Sequence, residues 1–149
     1  MEERFETFTA LVTGISRAIR KIKNEEMVEF HLKGPHVSCL YYLYKDGALT
    51  VKELSELCEE DKANMSRTVE HLEKSGYIVK RTACRYRAQL SLTEEGARVG
   101  AHIAARIDRM LSAVGEGVND DARQILYESL TKIHENLKRV CDAYDEKEC

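Results

Sequence analysis

From Phe5 onward the apolar residues Phe8, Leu11, Val12, Ile15, Ala18, Ile19 and Ile22 recur every three or four positions. That spacing puts them on one face of a helix, expected to run to about Phe30. Gly34-Pro35 ends this segment and opens the next, since a proline in a first helical turn has no intrahelical N–H bond to lose. The second helix carries Val37, Leu40, Tyr41, Leu43 and Tyr44 and stops at Asp46-Gly47. Thr50-Val51-Lys52-Glu53 has the form of a capping box, in which threonine and glutamate satisfy each other's orphan N–H groups. It opens a third helix expected to bury Leu54, Leu57 and Cys58. Glu59-Glu60-Asp61 is a short turn, and Asp61 is a natural N-cap for a fourth helix that ends at Gly76. On that helix Met65, Val69 and Leu72 face inward together. Lys62, Ala63, Asn64, Ser66, Arg67, Glu70 and His71 are left on the other sides.

The period then changes. Tyr77-Ile78-Val79 and Leu90-Ser91-Leu92 read as two short strands joined by the arginine-rich segment Lys80–Ala88. Thr93-Glu94-Glu95 caps a fifth helix expected to turn Val99, Ile103, Ile107, Met110, Leu111 and Val114 inward. Asn119 caps a sixth, where Leu126, Leu130, Ile133, Leu137, Val140 and Tyr144 alternate steps of four and three. The expected fold is mainly α with a small β-hairpin, in one domain over residues 1–149. The chain has no internal repeats and no low-complexity segments.

Composition narrows the class. At 149 residues the length suits one domain, and 43% apolar against 33% charged residues allow a core beneath a solvated surface. A net charge of −3 excludes a protein that coats nucleic acid by bulk positive charge. The longest unbroken apolar run, Cys39–Tyr44, is far short of the roughly 20 residues that span a bilayer. The first 25 residues lack the continuous apolar stretch of a signal peptide. Five cysteines without a close pair fit a reducing compartment, so the expected location is cytoplasmic, with no membrane partner.

A short helix, a tight turn and a second helix with a polar outer face form a helix-turn-helix, and a following hairpin is its wing. Such a unit needs a helix that enters the major groove with side chains able to bond base edges and phosphates. Lys62, Ala63, Asn64, Ser66, Arg67 and His71 on the fourth helix, with Arg81, Arg85 and Arg87 on the wing, are the candidate DNA-contacting residues. Between Lys62 and Ser91 seven Lys/Arg face two acids, a local balance of +5 on a chain whose remainder is −8. A basic face on an acidic body gives an oriented footprint rather than general stickiness.

Leu49–Leu57, Asp61–Arg67, Leu72-Glu73-Lys74-Ser75-Gly76-Tyr77-Ile78 and Leu90-Ser91-Leu92-Thr93-Glu94-Glu95-Gly96 together resemble the MarR family of bacterial winged-helix regulators. The flanking long helices extend the likeness over nearly the whole chain. The resemblance implies a winged helix-turn-helix core over about 36–96, with 1–33 and 97–149 forming N- and C-terminal dimerisation helices. It also implies a homodimeric repressor on a two-fold symmetric operator in double-stranded DNA, released by a small molecule or an oxidant. The segment Lys80–Arg87 departs from the family's usual wing: it is shorter and lacks an aspartate. The near-heptad seam of the sixth helix supports a dimer independently, because such a seam packs against another helix.

Other residues invite competing readings. Cys84 lies beside Arg81 and Arg85, a setting that can lower a thiol pKa, and a thiol-based redox protein using Cys84 or Cys39 is one alternative. No Cys-x-x-Cys and no evident Cys–His partnership accompany it, so no enzymatic activity is expected. A winged-helix adaptor that binds no DNA is the other alternative. Cys39, Cys58 and Cys141 fall on or beside apolar stripes, where cysteine serves as a small core residue. His31, His36, Cys39 and His102 have no zinc-motif spacing, and neither metal nor cofactor is expected. Tyr41, Tyr42 and Tyr44 are either core residues or, as the resemblance implies, the wall of a ligand pocket.

Overall fold

The computed structural model describes residues 3–81 and 88–147. Among the described residues, six α-helices, α1 (Glu3–Glu26), α2 (Gly34–Asp46), α3 (Val51–Cys58), α4 (Lys62–Lys74), α5 (Glu94–Val114) and α6 (Asp120–Asp145), accompany strands β1 (Leu49–Thr50), β2 (Ile78–Arg81) and β3 (Gln89–Leu92). The chain divides into two compact units, one up to Ile107 and one from Asp108 onward.

In the first unit α1 stops at Glu26, short of the expected Phe30. A single 3₁₀ turn, Val28–Phe30, follows, and His31 closes it in the left-handed region at φ 55°. The Met27 carbonyl accepts from both Phe30 N (3.1 Å) and Leu32 N (3.2 Å). Turning here buries Met27 and Leu32, neither of which lies on the helical stripe. The start of α2 is held from two sides: Gly34 N donates to Asn24 Oδ1 of α1 (2.8 Å) and Lys33 N donates to His36 Nδ1 (3.0 Å).

The capping box forms as the spacing requires. Glu53 N donates to Thr50 Oγ1 (3.2 Å), and Thr50 N to Glu53 Oε2 (2.7 Å). Leu54 is buried, but Leu57 is 39% exposed, so this two-turn helix presents one leucine to the core rather than two. The sheet has a third strand that the alternation did not reveal. β1 pairs antiparallel with β3 (Leu49↔Leu90), and β2 pairs with β3 on its other side (Ile78↔Leu92). Leu40, Leu54, Met65, Leu72, Ile78, Leu90, Val99 and Ile103 form the core beneath α4.

The β3–α5 corner is tightly built. Thr93 N donates to the Tyr77 carbonyl (3.0 Å), Thr93 Oγ1 donates to the Gly76 carbonyl (2.6 Å), and Gly96 N donates to Thr93 Oγ1 (3.0 Å). One threonine therefore caps α5 and ties it to the end of α4. Along α5 only Gly96, Val99, Gly100 and Ile103 are buried, and the expected inward positions Leu111 and Val114 are exposed. Apolar faces are also left open elsewhere: Leu11, Val12 and Ile15 on α1, and Leu126, Leu130, Leu137, Val140 and Tyr144 on α6, which has no buried residue.

Candidate nucleic-acid interface

The orientation of α4 follows from its apolar side. Met65, Thr68, Val69 and Leu72 are buried, which forces the remaining residues outward. Lys62, Ala63, Asn64, Ser66, Arg67 and His71 are all exposed. Lys74 is engaged at the surface by Glu70 (2.9 Å), an exposed pair of small energetic weight. Arg81 is exposed at the end of β2, in register with Gln89 of β3. Arg85, Arg87 and Cys84 lie outside the described residues.

Asp61 begins the helix with its Oδ1 accepting from Asn64 N at 2.8 Å. The same carboxylate has a second role that the sequence reading missed. Its Oδ2 accepts from Asn64 Nδ2 (2.7 Å), and Asn64 Oδ1 accepts from Arg67 Nη2 (2.5 Å). The i, i+3, i+6 spacing of Asp61, Asn64 and Arg67 was the available signal, since residues three apart are neighbours on a helix. N-cap preference alone accounted for Asp61, so the side-chain chain went unread.

His71 stacks on His36 of α2, with ring centroids 4.3 Å apart and planes 16° off parallel. Burial, then the neighbouring His71, then Lys33 push the His36 imidazole down from 6.5 to about 4. The unfolded chain therefore takes up this proton first. The site's contribution to stability is complete above about 6.5 and is lost as pH falls toward about 4. We expect denaturant midpoints to drop over that interval, with about 1 kcal/mol from this half-exposed ring after solvent screening. His36→Asn retains an acceptor for Lys33 N without the titration, and it should flatten that part of the profile. An identical profile in the variant would assign the acid loss elsewhere.

The remaining candidate residues among those described lie away from the exposed face of α4. Cys39 is fully buried and its thiol is pushed up to about 12 by burial, with Cys58 adding to the effect. Cys58 is likewise pushed up to about 11 by burial, against the opposing influence of Lys23. Thiols held protonated at neutral pH are poor nucleophiles. Tyr41 and Tyr42 meet edge-on at 5.5 Å and pack against the core, while Tyr44 lies on the exposed side of α2. His102 packs edge-on against Phe30 at 5.5 Å. Among the described residues no three His, Cys, Asp or Glu side chains converge as a metal site. No helix is long and apolar enough to cross a membrane, again among the described residues.

A three-stranded antiparallel sheet beside the α3–α4 pair, with the exposed polar face of α4 above it, defines a winged helix-turn-helix. Residues 32–85 match the model of the MarR family. A helix-turn-helix-type transcriptional regulator from Bacillus cereus is 28% identical over 120 residues, covering 80% of this chain and 81% of its own. A MarR protein from Peptoclostridium difficile superposes with a TM-score of 0.80 at 22% identity, covering 89% of this chain and 88% of that one. A putative MarR family regulator from Listeria monocytogenes, solved with a 26mer DNA, has a TM-score of 0.80 at 23% identity over 87% of each chain. MepR of Staphylococcus aureus, in its DNA complex, gives 0.77 at 19% identity over 87% and 97%. Over residues 32–85 the chain is similar to the MarR family, and its fold is that of solved MarR regulators.

Proposed function

We propose that the protein is a homodimeric, sequence-specific repressor that binds a two-fold symmetric operator in double-stranded DNA and leaves it when a small molecule or an oxidant intervenes. On this reading residues 1–149 form one MarR-like domain in the cytoplasm, with the winged helix over about 36–96 and the flanking helices as dimerisation arms. The observation that carries it is the outward face of α4, where Lys62, Asn64, Ser66, Arg67 and His71 stand exposed together while the opposite side anchors the helix in the core. The DNA complexes of the Listeria and Staphylococcus neighbours support placing duplex against that face. The open apolar faces of α1 and α6 support a second copy as partner, because large exposed apolar patches mark interaction surfaces. Arg81, Arg85 and Arg87 supply wing contacts to the backbone, and Tyr41, Tyr42 and Tyr44 supply a wall for the effector.

Selection of bound sites from random duplex tests the reading. We expect a palindromic motif whose half-sites are centred about one helical turn, roughly 10 bp, apart. No enrichment, together with no affinity for random duplex at low salt, would favour the adaptor alternative.

A further inference from the structure

We propose that Asp61 is a positioning residue for base recognition: through Asn64 it holds Arg67 for a guanine, so that Asn64 relays orientation instead of reading a base of its own. The inference rests on the DNA-binding reading above and adds to it a specificity-determining residue outside the basic set.

The chemistry leaves Asn64 little freedom. A carboxylate only accepts and a guanidinium only donates, so the amide between them has one consistent orientation, NH₂ toward Asp61 and carbonyl toward Arg67. The distances agree, 2.7 Å on the acid side and 2.5 Å on the arginine side. Both polar ends of Asn64 are thereby engaged within the helix. An asparagine reads adenine with those same two ends, so a base contact would have to share groups already held by Asp61 and Arg67. Among the described residues Arg67 has no side-chain partner except Asn64. Its Nη2 carries two protons, and one goes to Asn64. The other, with the protons of Nη1, remains for O6 and N7 of guanine, the commonest specific arginine contact in the major groove.

Holding Arg67 in advance lowers the rotamer entropy lost on docking. Asp61 cannot itself attract the duplex, because a carboxylate facing phosphates is repelled. An acid at this edge of a basic face therefore trades general affinity for discrimination.

The test separates cap from clamp. Serine at an N-cap still accepts from the helix N–H, so Asp61→Ser keeps α4 started while removing the second oxygen that holds Asn64. Full-length wild type, Asp61→Ser, Asn64→Ala, the double variant and Arg67→Ala are titrated against the selected operator, the same operator with guanine replaced by adenine at the pair sensitive to Arg67→Ala, and random duplex. Wild type should prefer guanine by about 5- to 150-fold, the range of one good bidentate contact. Asp61→Ser and Asn64→Ala should each bring that preference to a few-fold at the same pair, and the double variant should lose no more than Asn64→Ala alone. Asp61→Ser should bind random duplex as tightly as wild type or tighter, since an acid has left the phosphate-facing surface.

An equal loss on all three duplexes would mean only that the helix start has frayed, and overturns the clamp. So does a loss in Asn64→Ala at a different base pair, because Asn64 would then be a reader in its own right. An enriched motif with unchanged preference in Asp61→Ser overturns the clamp alone. Failure to enrich any motif overturns the DNA-binding reading and the clamp with it.

Discussion

Gly96→Ala is expected to destabilise the protein by about 3 kcal/mol or more and to lower Tm by roughly 6–12 °C. A methyl group at this position would stand 1.9 Å from the Tyr77 carbonyl oxygen and 2.9 Å from its carbon, both backbone atoms that no rotamer change can move. The carbonyl is itself pinned, since Thr93 N donates to it, and Thr93 also bonds the Gly76 carbonyl. Withdrawing α5 to make room would break these bonds and open the contacts of Val99 and Ile103 with the core. Overpacking in a place that cannot yield belongs to the costly end of single substitutions. Gly14→Ala supplies the contrast. That glycine sits inside α1 with nothing within 4 Å of its added Cβ. Alanine is the better helix former by up to about 1 kcal/mol, so the same chemical change should stabilise there. Thermal and denaturant melts of the two variants give opposite signs if the α5 corner is packed as described. A Gly96→Ala protein that melts within a degree of wild type would contradict the close approach.

The Gly96 corner also explains which parts of the architecture could be read from residues alone. Thr93-Glu94-Glu95 is informative because its members answer local demands, a capping hydroxyl and acids in a first turn, whereas the close approach of Gly96 to Tyr77 is non-local. The Thr50–Glu53 box and the Asp61 cap were legible for the same reason, as their partners lie three residues away. The inward triad of α4 is legible through its period, which assigns the opposite, polar side to the candidate interface. Non-local features were hidden. β1 is two residues long, too short to show alternation, and exists only because β3 arrives from forty positions later. Met27 and Leu32 enter the core through a 3₁₀ turn, which has no helical stripe to reveal them. Periodicity also reports that a face is apolar without saying what covers it. Leu111 and Val114 fit the stripe of α5 as well as Val99 does, yet they are exposed.

The largest effect expected at the proposed dimer interface comes from Leu130→Glu or Leu137→Glu. Both leucines lie on the α6 stripe that also holds Leu126, Val140 and Tyr144, and they are 39% and 49% exposed. In a two-fold interface each substitution enters twice, once from each copy. A carboxylate taken from water into an apolar seam without a partner costs several kcal/mol, or else takes up a proton to avoid that cost. Two of them in one seam should raise the dimer dissociation constant by well over 100-fold, on the rule that every 1.4 kcal/mol is about tenfold. Sedimentation should then show monomer or aggregate where wild type at micromolar concentration sediments as a dimer. Thr131→Glu is the matched control. It adds the same charge one residue along, roughly 100° around the helix from Leu130, and should leave the dimer intact. DNA affinity must follow the same ranking if two winged helices share one operator. The second half-site is then engaged at the high effective concentration of a tethered partner, and losing the tether removes about 10²–10⁴ in operator affinity without touching α4. Affinity for random duplex should fall far less in these variants, because each winged helix keeps its own basic face. A wild-type protein that sediments as a monomer, or a Leu130→Glu protein that stays dimeric on an undiminished operator affinity, would remove α6 from the interface and with it the two-fold reading of the DNA site.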